Sequence, residues 1–245
     1  GNSNTWTVNN LTAESPLSLP GVDFDGNDYL SLATTSDFTF GTGDFTVEYW
    51  IYVNTLPSAG SAAYVADFRG ANSSNFTFGL IHHGGGLKTY SWGNSTDVVG
   101  STALTLKTWI HVAHVRSGST VTTYVNGSSD STMTNAYNQS NAGVVIGARH
   151  TGSQEFVTGY ISNLRIVKGT AVYSSGFTPS TSLTNITNTV FLGCKSSSSV
   201  TTAVVTPGTI TANGDPTAGT FNDSTAANDS LVDTPTNYGD DTGAG

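Results

Sequence analysis

Acidic side chains are the first candidates for chemistry in this sequence, because hydrolysis of a glycosidic bond generally needs two carboxylates that flank it. Side chains alternate between the faces of a β-strand, so a pair on one strand needs positions i and i+2 or i and i+4. Glu48 lies in the most regular strand pattern, but the rest of its face carries threonine and aromatic residues. The other glutamates, Glu14 and Glu155, have no suitably spaced acidic partner. We therefore predict that the chain is not an enzyme.

Cysteine and histidine add little to this chemistry. Cys194 has no base beside it and lies in an apolar strand pattern, which is typical of a buried, inert thiol. His111 and His114 are three positions apart in one strand pattern, so they point to opposite faces and cannot act as a pair. His82 and His83 precede three glycines, and such a loop holds metal ligands poorly.

Aromatic side chains beside polar groups suit a different chemistry, the binding of sugars. A sugar ring packs on an aromatic face while neighbouring polar groups bind its hydroxyls. Tyr90 and Trp92 lie on a predicted strand, with Lys88 and Asn94 close by in sequence. The alternative, that Trp92 packs against the body of the domain, stays open. The residues that we predict to bind a ligand are Tyr90, Trp92, His83, Arg69, Arg149, His150 and Gln154.

Composition and charge exclude several classes of partner. Charged residues make up 10% of the 245 residues, and the formal net charge is −9. So acidic a chain repels phosphate backbones, and we expect no nucleic-acid partner. With one cysteine there is no intrachain disulfide. No apolar run approaches the length of a membrane span, so we expect no membrane insertion.

The elements that must position these side chains are β-strands. From Asp44 to Val53 the sequence alternates with aromatic residues on both faces, which predicts a central strand. The stretch from Trp109 to Arg116 alternates in the same way, and the turn at Ser117-Gly118-Ser119 leads it into a hairpin. Good helix formers are scarce and Thr, Val, Tyr and Phe recur, so the predicted fold class is all-β.

Pattern and composition divide the chain into four predicted parts. Residues 1–19 are polar and form a lead-in from a preceding part of a longer chain. Residues 20–195 carry the strands of a β-sandwich. Residues 196–222 form an extension that adds strands to it. Residues 223–245 are rich in Asn, Asp, Ser, Thr and Gly and form a linker toward a following module.

Six short motifs follow one another in a characteristic order. They are Phe24-Asp25-Gly26 with Asp28-Tyr29-Leu30, Gly43-Asp44-Phe45-Thr46-Val47-Glu48-Tyr49-Trp50, Trp109-Ile110-His111-Val112-Ala113, Tyr124-Val125-Asn126-Gly127, Ile146-Gly147, and Gly159-Tyr160-Ile161-Ser162-Asn163-Leu164-Arg165-Ile166. Between residues 22 and 179 the chain resembles the laminin G-like members of the concanavalin A-like lectin/glucanase superfamily. The resemblance implies a jelly-roll β-sandwich of two antiparallel sheets.

The same resemblance implies calcium as a candidate cofactor, since laminin G-like domains often hold it at the rim through oxygen ligands. The oxygen-bearing residues that cluster in sequence are Asp23, Asp25, Asn27 and Asp28. The alternative interpretation is a hairpin turn in which Asp25 and Asn27 cap backbone groups. We expect Asp67 and Asp97 to be isolated acids on loops.

A narrower resemblance concerns the later segments and both ends. Lys168-Gly169-Thr170-Ala171-Val172-Tyr173 and Phe177-Thr178-Pro179 resemble virion structural proteins of marine bacteriophages of the cyanophage type. The stretches 1–11 and 228–239 resemble two halves of one segment in such proteins. This implies that the sandwich is a module inserted into a longer virion protein, and Trp6 and Tyr238 should then lie close together.

The resemblance implies a non-catalytic module on the virion surface, in a tail fibre, a capsid fibre or a decoration. Its predicted function is to bind a host-surface glycan or to mediate adhesion. The alternative is a purely structural spacer or assembly module, and a glycan-degrading enzyme is least favoured. Expected partners are other virion subunits, further copies of the chain in a homo-oligomer, and host-surface polysaccharide. The expected location is extracellular.

Overall fold

The computed structural model describes residues 16–70, 74–140 and 143–223. Most of the predicted lead-in and linker, with Trp6 and Tyr238, lies outside these ranges. The described residues form fifteen strands and one short 3-10 turn at Ser36–Phe38. The strands are β1 (Ser18–Asp25), β2 (Tyr29–Leu32), β3 (Phe45–Val53), β4 (Ala62–Asp67), β5 (Thr77–His83), β6 (Gly86–Gly93), β7 (Thr96–Val99), β8 (Trp109–Ser117), β9 (Thr120–Val125), β10 (Ser128–Thr134), β11 (Val144–Ile146), β12 (Thr158–Lys168), β13 (Thr189–Gly193), β14 (Ile210–Asn213) and β15 (Thr217–Asn222).

Two antiparallel sheets pack face to face, which confirms the predicted all-β jelly-roll sandwich. The eight-stranded sheet has the order β10-β9-β8-β3-β12-β1-β15, with β13 paired to β12. The seven-stranded sheet has the order β14-β2-β11-β4-β5-β6-β7. None of the described residues forms a helix that is long and apolar enough to cross a lipid bilayer.

The central strand β3 explains how the sandwich is built. All nine of its residues are buried, and it lies between β8 and β12. One face of β3 carries Phe45, Val47, Tyr49, Ile51 and Val53, all of which enter the main core. Burial of apolar area of this kind stabilises the fold by about 25 cal/mol per Å². The prediction of a central strand from the aromatic residues on both of its faces is confirmed.

The outer face of the eight-stranded sheet is covered by the segment 169–186, which we call the strap. The indole N–H of Trp50 donates to the carbonyl of Ser180 at 2.9 Å. Phe177 and Gly127 join the strap to the β9–β10 turn, since the N–H of Phe177 donates to the carbonyl of Gly127 at 3.0 Å. A side chain at Gly127 would overlap the backbone of Phe177, so this turn needs glycine. The strap thus covers this face around Trp50 and the β9–β10 turn, whereas Tyr160 of the same sheet stays partly exposed.

The C-terminal strands join both sheets. β14 pairs with β2 of the seven-stranded sheet, and β15 pairs with β1 of the eight-stranded sheet. Where the described chain ends, the N–H of Asp223 donates to the carbonyl of Leu17 at 2.9 Å. The seven-stranded sheet keeps an outer face on β4, β5 and β6 that the strap does not cover, and the candidate site lies there.

Candidate functional site

A pair of tyrosines projects from the outer face of the seven-stranded sheet. The rings of Tyr64 on β4 and Tyr90 on β6 stack with centroids 6.2 Å apart and planes inclined by 26°. Gly79 of β5 lies between them and pairs with both. Two strand spacings amount to about 9.6 Å, so the rings incline towards each other above the glycine. A side chain at Gly79 would overlap the carbonyl of Ala63.

Arg69 extends this aromatic pair with a guanidinium whose orientation is fixed. Its Cζ lies 4.6 Å from the centroid of the Tyr64 ring, a distance suited to a cation–π contact. Nε and Nη2 donate to the two carboxylate oxygens of Asp67 at 2.7 to 3.2 Å. The same carboxylate accepts the backbone N–H of His150 at 2.9 Å, with His150 Nδ1 at 3.3 Å. Asp67 therefore holds both Arg69 and His150 against the sheet.

Trp92 and Asp67 belong to one cross-strand row on this face. Trp92 pairs with Thr77, Thr77 with Asp67, and Asp67 with Val145. Trp92 is partly exposed, as is Tyr90. Asp97 lies directly opposite Trp92 on β7. The fold thus brings Trp92, Tyr90, Arg69 and His150, which the sequence offered as separate candidates, to one side of this sheet.

The loop 149–155 frames this surface. The Nη1 of Arg149 lies 3.5 Å from the Oε1 of Glu155, whereas Arg149 Nε and Glu155 Oε2 are buried with no hydrogen-bond partner among the described residues. Glu155 has a φ of 51°, a left-handed conformation that few non-glycine residues adopt. Gln154 is exposed and, with Glu155, lines a polar groove of about 310 Å³. A second groove of about 180 Å³ is lined by His150 and Asp67.

His83 lies apart from the other candidates. It is the last residue of β5, pairs with Gly86, and is exposed. The two glycines between them, Gly84 and Gly85, have φ of 61° and 80°, which allows the tight reversal. His83 is therefore at the tip of the β5–β6 hairpin rather than beside Tyr90.

The electrostatics of the site keep both tyrosines neutral. Burial, with the neighbouring Tyr64 and Asp97, raises the pKa of Tyr90 to about 12. Burial also raises the pKa of Tyr64, although Arg69 opposes this. The pKa of Arg69 is raised, because the pairing with Asp67 outweighs the lowering by burial. At neutral pH both phenols carry their protons and can donate hydrogen bonds.

The acidic turn after β1 is closed by backbone hydrogen bonds. Oxygens of Asp25, Asp28 and the distant Asp215 lie within 4.8 Å of one another. Asp28 is buried, and its two carboxylate oxygens accept the N–H of Asp25 at 3.1 Å and of Asp215 at 2.8 Å. Asp25 Oδ1 accepts the N–H of Asn27 at 3.2 Å.

These contacts bear on calcium, which takes six to eight oxygen ligands. N–H donors of Asp25 and Asp215 already occupy the only buried carboxylate of this group, so the observed bonds favour the turn over a dedicated cation site. Asp23 is outside the group, and burial followed by repulsion from Asp25 and Asp28 raises its pKa.

Glu48 is buried beneath the strap. Its Oε1 accepts Arg165 Nε at 2.9 Å and Nη2 at 2.6 Å. Its Oε2 accepts the Tyr173 hydroxyl at 2.8 Å and lies 3.2 Å from Nε2 of His111. The side chains of Glu48 and His111 are fully buried, and Nδ1 of His111 has no hydrogen-bond partner among the described residues. With both oxygens engaged and no solvent access, Glu48 has a structural role.

Sequence reasoning did not assign four residues to the site. Tyr64 is absent from the predicted set, because its place opposite Gly79 follows from the strand register and not from the local sequence. Asp67 lies on β4, and Asp97 lies on β7, so the expectation of isolated acids on loops is wrong for both. The signal for Asp67 was Arg69 two positions later, just beyond the end of β4. Glu155 carried no sequence signal, because its position depends on the path of the loop.

Known proteins share this architecture. A family model of the concanavalin A-like lectin/glucanases superfamily matches residues 24–175. No curated protein matches the chain. Among solved structures, a heptameric SAP-like pentraxin from Limulus polyphemus is 19% identical over 82% of this chain and 94% of its own, with a TM-score of 0.53. A putative carbohydrate binding protein from Bacteroides ovatus is 15% identical over 85% of this chain and 60% of its own, with a TM-score of 0.59.

The match of the family model extends from the motif at Phe24 to the strap, and so includes β3, β8 and β12, which carry the most buried part of the sandwich. It covers more than half of the chain. This chain belongs to the concanavalin A-like lectin/glucanases superfamily.

Proposed function

We propose that this chain is a non-catalytic adhesion module that binds carbohydrate on the outer face of its seven-stranded sheet. The observation that carries the proposal is the group formed by Arg69, Tyr64 and Tyr90. The guanidinium carbon of Arg69 lies 4.6 Å from the centroid of the Tyr64 ring, and the centroids of the two tyrosine rings are 6.2 Å apart, without any ligand. Preorganised groups lose little conformational entropy on binding, which favours affinity.

The chemistry of this face suits a sugar. Tyr90 and Trp92 are partly exposed and offer apolar ring surface to the C–H groups of a pyranose. His150 and Gln154 line grooves on the same side of the domain and offer polar groups to its hydroxyls. The putative carbohydrate binding protein of Bacteroides ovatus has the same fold, and the fold is therefore compatible with this role.

The absence of enzymatic activity is part of the proposal. Hydrolysis of a glycan would need two carboxylates that reach the substrate. Glu48 is sealed beneath the strap and bound to Arg165 and Tyr173. On the proposed face Asp67 is buried and bound to Arg69, Glu155 lies beside Arg149, and Asp97 is exposed on β7, so no two of these three carboxylates are both unpaired and open to a substrate.

We place this module on the surface of a bacteriophage virion, with other virion subunits and copies of itself as partners. Support comes from the resemblance of residues 168–179 and of the two ends to phage structural sequences. The adjacency of Leu17 and Asp223 favours display from a longer protein, and it is equally compatible with a structural spacer. Mass spectrometry of purified virions and immunogold labelling would test this location, and failure to detect the chain in particles would contradict it.

A glycan array with the purified chain tests the binding function. Tyr90→Ala and Trp92→Ala should each weaken binding by about fivefold, since a lost aromatic contact is worth about 1 kcal/mol. Tyr160→Ala is the matched control, because Tyr160 is a partly exposed aromatic residue on the other sheet. Absence of binding across the array, or equal loss in all three folded variants, would contradict the proposal.

A further inference from the structure

We infer that the glycan bound by this face is uncharged, an inference that rests on the proposed function. Acidic polysaccharides, which carry carboxylate or sulfate groups, are bound through free guanidinium and ammonium groups. The disposition of the cationic side chains is therefore the feature that decides between the two classes of glycan.

Three of the four arginines are committed within the protein. Arg69 binds both oxygens of Asp67, and Arg165 binds Glu48. Arg116 is buried and donates to four backbone carbonyl groups, those of Gly118, Gly41, Tyr137 and Asn135. Arg149 lies beside Glu155. An incoming anion would have to compete with a carboxylate that is tightly bound to Arg69 and Arg165, whereas Arg149, a third exposed and 3.5 Å from Glu155, has the weakest of these pairings.

The four lysines do not form a cationic surface either. They lie in separate parts of the fold, on β6, before β8, at the end of β12 and after β13, as Lys88, Lys107, Lys168 and Lys195. Only Lys88 belongs to the proposed face, and its Nζ lies 3.4 Å from the carbonyl of Ser101. One lysine gives little attraction for a polyanion in physiological salt.

The anionic groups of the face also favour an uncharged ligand. Asp67, Asp97 and Glu155 balance the charges of Arg69, Arg149 and Lys88 around the two tyrosines. The rest of the chain is acidic, with a formal net charge of −9, so a polyanion is repelled at long range. What remains for a ligand is two aromatic rings, phenolic O–H donors and carboxylate acceptors, which suit the C–H faces and hydroxyl groups of a neutral sugar.

The test compares binding of the full chain to two panels of polysaccharides. The neutral panel contains dextran, laminarin, xylan and galactomannan, and the acidic panel contains alginate, polygalacturonate, heparin and a sialylated glycan. Neutral binding should be weakened by about fivefold in Tyr90→Ala. It should also change by less than about twofold between about 20 mM and 0.5 M NaCl, because screening acts on charged contacts only.

The outcomes separate this inference from the function on which it rests. Binding confined to the neutral panel and insensitive to salt supports the inference. An acidic polysaccharide that binds as tightly as the best neutral one, with affinity that falls steeply in salt, overturns the inference and leaves the proposed adhesion function standing. Binding to neither panel overturns the proposed function and the inference with it.

Discussion

The backbone N–H of Asp223 donates a hydrogen bond to the carbonyl oxygen of Leu17 at 2.9 Å. The described chain therefore enters and leaves the sandwich at one point, through the paired strands β1 and β15. Insertion of a domain into another protein is tolerated when its ends lie close together. This relationship is the geometry that an inserted module needs.

The adjacency predicts that a circular permutant will fold. A short Gly/Ser linker would join residue 223 to residue 16, and new ends would be opened between Gly84 and Gly85, which are exposed at a hairpin tip. We expect the same circular dichroism spectrum and a melting temperature within about 5 °C of the parent, because no core contact is cut. A permutant opened inside β3 serves as the control that should not fold. Failure of the first permutant would argue against insertion.

The ion pair beneath the strap predicts a large cost for removing one partner. Arg165→Met leaves the buried carboxylate of Glu48 without its main counter-charge, which should lower the free energy of unfolding by about 3–5 kcal/mol. The double variant with Glu48→Gln should recover part of that loss, because no uncompensated charge is then buried. Urea unfolding of both variants measures the difference. A single variant within about 1 kcal/mol of the parent would contradict the buried charge network.

The sandwich itself was predictable from local sequence, and its polar clusters were not. The alternation from Asp44 to Val53 is a property of ten consecutive residues, so the aromatic residues on both faces of β3 could be recognised. The partners of Glu48, in contrast, are Arg165 and Tyr173, which are 117 and 125 positions away. Nothing local in the sequence indicates such pairings, so Glu48 looked isolated when only its own strand was considered.

In the candidate site, too, local sequence features could be recognised and long-range contacts could not. Tyr90 and Trp92 were found because aromatic residues on a polar strand are visible in the sequence. Tyr64 was missed, because its contact with Tyr90 depends on the register of three strands around Gly79. Asp215 reaches Asp28 across 187 positions, which explains why sequence reasoning considered Asp23 instead.

Titration of a core histidine predicts one component of the pH dependence of stability. His114 lies between the sheets, with Nε2 3.0 Å from the hydroxyl of Tyr49 and Nδ1 3.0 Å from that of Thr123. Burial lowers the pKa of His114 from 6.5 to about 3. As the pH falls from 6.5 to about 3, the unfolded chain takes up a proton at this histidine and the folded chain does not. The free energy of unfolding therefore decreases by up to about 1.4 kcal/mol per pH unit.

Replacement of this histidine should remove that component. His114→Asn should be less stable at pH 7, and its stability should fall less steeply between pH 6.5 and pH 3 than that of the parent. His83→Gln, at an exposed position, is the control and should keep the parent slope. Urea unfolding across the pH range gives the slopes. Equal slopes in the parent and in His114→Asn would show that His114 titrates normally in the folded state.

The hydrogen bonds of the acidic turn predict that its stability depends on the Asp28 carboxylate and not on a bound metal cation. Asp28→Ala removes the acceptor of two backbone N–H groups and should cost about 1–3 kcal/mol. We expect the loss to be the same with calcium and with a chelator, and the melting temperature of the parent to be unchanged by either. A rise in the parent's melting temperature with calcium that disappears in Asp28→Ala would instead establish a cation site.

The glycine between the two tyrosines gives the sharpest test of how the fold positions the proposed binding face. Gly79→Ala places a methyl group against the carbonyl of Ala63, so β4 and β5 must separate and carry Tyr64 away from Tyr90. We expect a loss of about 1–3 kcal/mol in the free energy of unfolding and weaker glycan binding in the folded fraction. Gly86→Ala is the matched control, since nothing lies within 4 Å of the added methyl group. If Gly79→Ala bound glycan as tightly as the control, the stacked pair would not be the surface that binds.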